Sequence, residues 1–201
     1  IKAAVGSRML TQIRSEAAGI YAPDYQMRSI GALAPEGVSI AIRELFVDEI
    51  TTERAARFLA TISEAGTLVQ YILYDPGDVE RYRKLLASGA IPGKRHWVLF
   101  VLGRYTDPDA APASIDAYID ALGGEAPWMA CAFGKLAFDT LGKAAAHGGH
   151  CRIGFENGWL MPDGTVAPDN AALVTKLVSQ LRSRGHRIAT PDDARALFKG
   201  D

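Results

Sequence analysis

The sequence predicts an α/β fold, a (β/α)8 TIM barrel of which this chain supplies about six βα units. Three observations carry that expectation. From Met9 onward, short apolar runs alternate with longer amphipathic segments, the pattern of βα units around a parallel sheet. The runs are apolar on both faces, as expected of strands covered by helices on one side and closed on themselves at the other. The count stops at six, where a closed eight-stranded barrel needs about 250 residues. With 201 residues, the chain is therefore expected to be the C-terminal three quarters of a longer single barrel domain, its N-terminal βα units lying upstream of Ile1. The alternative is a complete, open, doubly wound sheet.

Taken in order, strands are expected at residues 9–14, 38–43, 68–74, 97–102, 128–133 and 150–155. Helical periodicity fills the intervals at 25–33, 51–64, 78–87, 114–122 and 135–145. After the last strand, Asp169 can cap a helix running to about residue 183, which Gly185 ends, and Pro191-Asp192-Asp193 opens a final short one.

The composition narrows the classes of function. Lysine plus arginine number 22 against 23 aspartate plus glutamate, with no long run of either sign, which argues against a nucleic-acid or anionic-membrane partner. With 48% hydrophobic residues there is material for one sizeable core. No apolar run reaches membrane-spanning length and no signal peptide is visible, so the default localisation is cytoplasmic. Cys131 and Cys151 lack the paired spacing of a zinc knuckle and read as buried free thiols.

Chemistry concentrates at the strand ends, where β/α barrels gather functional side chains. These ends offer Ser15 and Glu16, Arg43 and Glu44, Tyr74 and Asp75, Arg104, Lys135, and then Arg152, Glu156 and Asn157. By strand alternation Arg43 and Glu44 face opposite sides, so one of them at most lines the mouth. Asp75 precedes Pro76 and reads as a turn initiator. The stretch Gly148-Gly149-His150-Cys151-Arg152-Ile153-Gly154-Phe155-Glu156-Asn157 carries the densest signal. A strand period of two puts Arg152, Gly154 and Glu156 on one face, with room for a ligand at the glycine. Arg152 suits a carboxylate through its planar fork, and its other reading is an ion pair with Glu156. His150, at the opposite end of that strand, reads as structural.

That stretch resembles the last barrel strand of the β-keto acid cleavage enzymes, the family of 3-keto-5-aminohexanoate cleavage enzyme, whose motif reads Gly-Gly-His-x-Arg-x-Gly-x-Glu-Asp/Asn. The resemblance continues through Pro162-Asp163-Gly164, Ala167-Pro168-Asp169-Asn170-Ala171 and Ala189-Thr190-Pro191, and upstream through residues 70–76 and 99–105. It implies a reaction of retro-Claisen type, in which a β-keto acid and acetyl-CoA give acetoacetate and a new acyl-CoA. It also implies a homo-oligomer. Glu156 would be a Zn2+ ligand, Arg152 and Asn157 catalytic, and Ser15, Glu16, Arg43, Glu44 and Arg104 would bind substrates, with Arg104 and Lys135 near the CoA phosphates.

The sequence departs from the family pattern in three places. The His-x-His pair that would complete a zinc site does not occur among His96, His147, His150 and His186, so the remaining ligands are expected outside this segment. Asn157 stands where better-studied members carry aspartate, and an amide is no general base; Glu16 or Glu44 would take that role, or Asn157 only hydrogen-bonds the substrate. Gln70 and Ile72 stand where longer members carry glutamates. Two other readings fit the same residues: a metal-dependent keto-acid lyase or aldolase without CoA, and a catalytically idle barrel kept as a binding subunit.

Overall fold

The computed structural model describes residues 2–93, 96–103, 114–124 and 126–199. It is an α/β fold whose six strands join one sheet in chain order. They are β1 (Gln12–Arg14), β2 (Gly37–Ala41), β3 (Leu68–Leu73), β4 (Trp97–Leu102), β5 (Trp128–Ala132) and β6 (His150–Cys151). The pairs β1–β2, β2–β3 and β5–β6 are parallel. The helices are α1 (Lys2–Val5), α2 (Pro23–Leu33), α3 (Ile42–Leu45), α4 (Glu49–Glu64), α5 (Pro76–Ala87), α6 (Ile115–Leu122), α7 (Ala137–Ala146), α8 (Asn170–Ser183) and α9 (Pro191–Lys199). None of the described helices is long and apolar enough to cross a membrane.

Local chemistry sets most of these boundaries. Pro23 opens α2 at a position where its missing N–H is no loss. Asp48 accepts the Thr51 N–H at 2.7 Å, and Thr51 returns the bond to the Asp48 N–H, a reciprocal cap on α4. Asp169 caps α8 through the Ala172 N–H at 2.7 Å, as the sequence predicts. Thr190 and Asp193 cap α9 by the same exchange, the Asp193 N–H donating to Thr190 Oγ1 and the Thr190 N–H to Asp193 Oδ2.

The C-terminal ends of two expected strands are corrected. The second strand ends at Ala41, and Ile42–Leu45 turns into helix instead of extending to Arg43, so strand alternation does not set the directions of Arg43 and Glu44. The sixth strand is two residues long, not six. The Arg152 N–H still donates to Ala130 O on β5, but then the chain bends: the N–H groups of Asn157 and Gly158 both return to Gly154 O.

The chain divides into two compact units. The first comprises the chain up to Leu73, Gly77–Val98 and the chain from Ala189 onward. Here the parallel register aligns Arg14 with Ser39 and Ser39 with Gln70, and aligns Ile40 with Tyr71. One face of this region is apolar, with Val38, Ile40, Tyr71 and Leu73 buried, and Tyr71 packs on Tyr82 of α5 with ring centroids 5.6 Å apart. The other face carries Gln12, Arg14, Ser39 and Gln70 beside the buried Ala41 and Ile72, so it is mixed where the sequence suggests an apolar one. Trp97 stacks on Phe198 of α9 at 4.4 Å.

The second unit comprises Tyr74–Pro76 and Leu99–Ile188. Phe100 lies between Tyr118 and Trp128, at 5.1 and 5.2 Å. The buried Tyr118 hydroxyl donates to the carbonyls of Tyr74 and Val101. Leu141, Ala144, Leu173 and Leu177 are buried, and each of the leucines contributes of the order of 1.5–3 kcal/mol. Gln180 on α8 donates to Phe138 O on α7, tying the two helices.

Candidate active site

Within the second unit, the chain leaving β6 makes a tight turn that brings Arg152 against Glu156, with Asn157 the next residue along it. Arg152 and Glu156 form an ion pair. The turn joins them, not the strand alternation expected from sequence: residues 155–157 are turn, and Gly154 O anchors it. Partial burial raises the Glu156 carboxyl above its ordinary value, while the adjoining guanidinium favours its charged form. One NH2 arm of Arg152 holds Glu156, which leaves the other donors of the fork for a second carboxylate.

Asn170 supports this turn, a role that sequence reasoning missed. Its Oδ1 accepts the Phe155 N–H at 2.8 Å, and a Cβ added at Gly154 would come within 3.2 Å of it. Gly154 therefore makes room for Asn170, which corrects the expectation of space for a ligand there. The signal was present, since Asn170 belongs to a motif beside the helix cap Asp169, but its partner lies fifteen residues upstream.

Asn157 is 5% exposed. Its carbonyl accepts the Gly134 N–H at 3.4 Å, and its Nδ2 is buried with no acceptor among the described residues. An amide in that position is a neutral donor with no acceptor among the described residues. Lys135 is exposed beside Gly134. His150 is half-buried, and burial lowers its pKa. Cys131 is buried and Cys151 half-buried, and neither is in a disulfide. Burial raises the Cys151 thiol to about 11, which makes it a poor nucleophile.

In the first unit, the Ser15 hydroxyl donates to Ser39 O at 3.3 Å. Glu16 pairs with Arg14. Glu44 accepts the Ala17 N–H at 2.7 Å and so holds the chain after β1. Arg43 grips Asp78 with two bonds, Nε to Oδ1 at 3.3 Å and a guanidinium NH2 to Oδ2 at 2.6 Å, fastening α3 to the first turn of α5. Asp78 is nearly buried and absent from the expected site; as a helix-opening acid it gave no sign of an Arg partner 35 residues upstream. Arg104 lies outside the described residues.

The donor set does not by itself fit a zinc ion. Among the described residues no three His, Cys, Asp or Glu side chains gather where they could hold a metal, and Glu156 is engaged with Arg152.

Comparison with known proteins bears on this geometry. A family model described as beta-keto acid cleavage enzyme matches residues 1–199. The 3-keto-5-aminohexanoate cleavage enzyme of Fusobacterium nucleatum is 27% identical over 77% of this chain and 55% of its own length. The 3-oxoadipate:acetyl-CoA acetyltransferase of Cupriavidus necator is 31% identical over 55% of this chain and 40% of its own. The chain thus spans about half the length of the curated relatives it matches. Among solved structures, a 3-dehydroquinate dehydratase from Geobacillus kaustophilus aligns with a TM-score of 0.56 at 13% identity, covering 88% of this chain and 69% of that one. That likeness is one of fold alone, α/β and TIM-barrel-like. With the family model covering nearly every residue, the chain belongs to the beta-keto acid cleavage enzyme family.

Proposed function

We propose that this chain carries part of the active site of an enzyme that transfers the acyl portion of a β-keto acid to CoA. A β-keto acid, R–CO–CH2–COO−, and acetyl-CoA would give acetoacetate and R–CO–CoA. The carbon–carbon bond beside the keto group breaks, the CH2–COO− fragment joins the acetyl group, and the thiolate takes up R–CO. The observation that supports this reading is the Arg152–Glu156 ion pair on a turn that also buries the Asn157 Nδ2, which has no acceptor among the described residues, in a chain matched along its length by the family.

Arg152 holds the carboxylate of the keto acid, Glu156 orients the guanidinium, and Asn157 donates to an oxygen that gains negative charge as the bond breaks. Asn157 takes no proton at any accessible pH, so its part is positioning and charge stabilisation. Were a zinc ion bound here, Glu156 is the carboxylate of this turn that could reach it, at the expense of its pair with Arg152. The fold we propose is an eight-unit β/α barrel with six of its units in this chain.

The purified protein is to be incubated with acetyl-CoA labelled with 13C in both acetyl carbons and a panel of β-keto acids. The reading expects the label in the methyl and keto carbons of acetoacetate, with an equal yield of new acyl-CoA. Unlabelled acetoacetate, or keto-acid consumption that ignores acetyl-CoA, would overturn it.

A further inference from the structure

The turn that carries Arg152 and Glu156 also opens an apolar rim that the chemistry above leaves unused. Phe155, between those two residues, is 41% exposed, and Trp159, two residues past Asn157, is 60% exposed. The backbone of this turn meets the segment leading into α7: the Gly134 N–H donates to Asn157 O at 3.4 Å, and a Cβ added at Gly158 would lie 3.8 Å from Gly134 N and O. Trp159 and Lys135 each follow one of those two glycines, so an exposed ring and an exposed ammonium leave the backbone from adjoining points. Lys135 forms no ion pair among the described residues, and Leu136 beside it is exposed as well. Large apolar side chains gathered in water beside a reactive turn mark a place where a ligand binds. A purely apolar occupant would leave Lys135 without a counter-charge, and a purely anionic one would leave the indole uncovered. The occupant that suits both is an apolar chain with an anionic group at one end and the reacting group at the other.

We propose that Phe155 and Trp159 carry the pantetheine arm of the acyl thioester, its two methyl groups against the indole, and that Lys135 meets the phosphate beyond it. The proposal deepens the acyl-transfer reading and rests on it for the choice of ligand. A nucleotide held without the arm, or a second copy of this chain on the same rim, is separated from it by the test.

Quenching of tryptophan emission by acrylamide reads this rim without turnover, because Trp97 is buried and Trp128 half-buried, whereas Trp159 is open. Pantetheine is expected to abolish the readily quenched component and adenosine bisphosphate, which lacks the arm, to leave it; Trp159→Phe should remove that component altogether. Turnover gives the second readout, with acetyl-CoA, acetyl-pantetheine and S-acetyl-N-acetylcysteamine keeping successively less of the ligand. Trp159→Ala should lower the kcat/KM ratio of acetyl-pantetheine to the cysteamine thioester by about tenfold, and Trp159→Phe, which keeps an aromatic face, by less than about threefold. Lys135→Ala should lower the ratio of acetyl-CoA to acetyl-pantetheine by about fivefold. Protection by adenosine bisphosphate alone, a Trp159 closed to the quencher until the protein is diluted, or ratios unchanged in Trp159→Ala would each overturn the proposal. Acetoacetate formed with unchanged ratios sinks this proposal and leaves the acyl-transfer reading standing. Protection by pantetheine without acetoacetate from any thioester does the reverse.

Discussion

β3 stays extended for six residues and β6 for two, and the difference separates two ways of placing a polar side chain. On β3, ladder register decides: Gln70 faces as it does because Ser39 lies beside it and Tyr71 packs on Tyr82. After β6, the ladder has stopped, and Arg152 meets Glu156 because Gly154 O and Asn170 Oδ1 hold a turn between them. A strand fixes a side chain to within the pleat, whereas a turn held by a few bonds brings residues four apart into contact at the expense of being easier to loosen.

The largest effect that separates the two regions is on rate. Glu156→Gln removes the charge that holds Arg152, and acetoacetate formation is expected to fall by about a hundredfold or more. Ser15→Ala at the end of β1 removes one long hydroxyl bond to Ser39 O and should stay within about threefold. A similar loss from both would put the chemistry equally in the two regions. In stability the ranking reverses. Leu73→Ala on β3 empties a fully buried position and should cost about 2–5 kcal/mol in denaturant unfolding, whereas Ile153→Ala, half-buried beyond β6, should cost less than half as much.

A smaller effect tests the turn directly. Asn170→Ala leaves the Phe155 N–H without its acceptor and should cost roughly 1 kcal/mol of stability and about tenfold in kcat/KM. Asn170→Asp keeps an acceptor oxygen and should retain most of both. If Asp fails as badly as Ala, the side chain matters for something other than this bond.

The smallest effect is on acid sensitivity. Burial lowers the folded-state pKa of His150, so the unfolded chain takes up a proton first, at about pH 6.5. The stabilisation from a neutral His150 is complete above that value and is lost as pH falls through it toward the folded value. Melting temperatures between pH 7.5 and 5.5 should therefore decline less steeply in His150→Gln than in the wild type, and parallel slopes would show that His150 does not titrate differently on unfolding.

How much of this was legible in the sequence follows from how local each cause is. β4 falls at residues 97–102 as read, because six apolar residues in a row leave no other choice. The Asp169 cap was legible because cap and helix adjoin. β6 was overread: Ile153 and Phe155 prolong an apolar run that looks like strand, and the bond that bends the chain comes from Asn170, far along it. Arg43 was overread for the same reason, since Ile-Arg-Glu-Leu suits a strand end or a helical turn, and Asp78 decides. That Arg152 and Glu156 pair could be read from their spacing, but not that a turn joins them. The mixed face of β1–β3 emerges only from register, which aligns side chains scattered through three apolar runs.

The central claim is that Arg152 binds the substrate's carboxylate. It is tested most directly by steady-state acetoacetate formation in Arg152→Lys, which keeps the charge and removes the two-pronged donor geometry. The account predicts a KM for the keto acid raised at least about tenfold, a lowered kcat, and a KM for acetyl-CoA within about twofold of wild type. An unchanged keto-acid KM with full kcat would contradict it and leave Arg152 as no more than the ion-pair partner of Glu156.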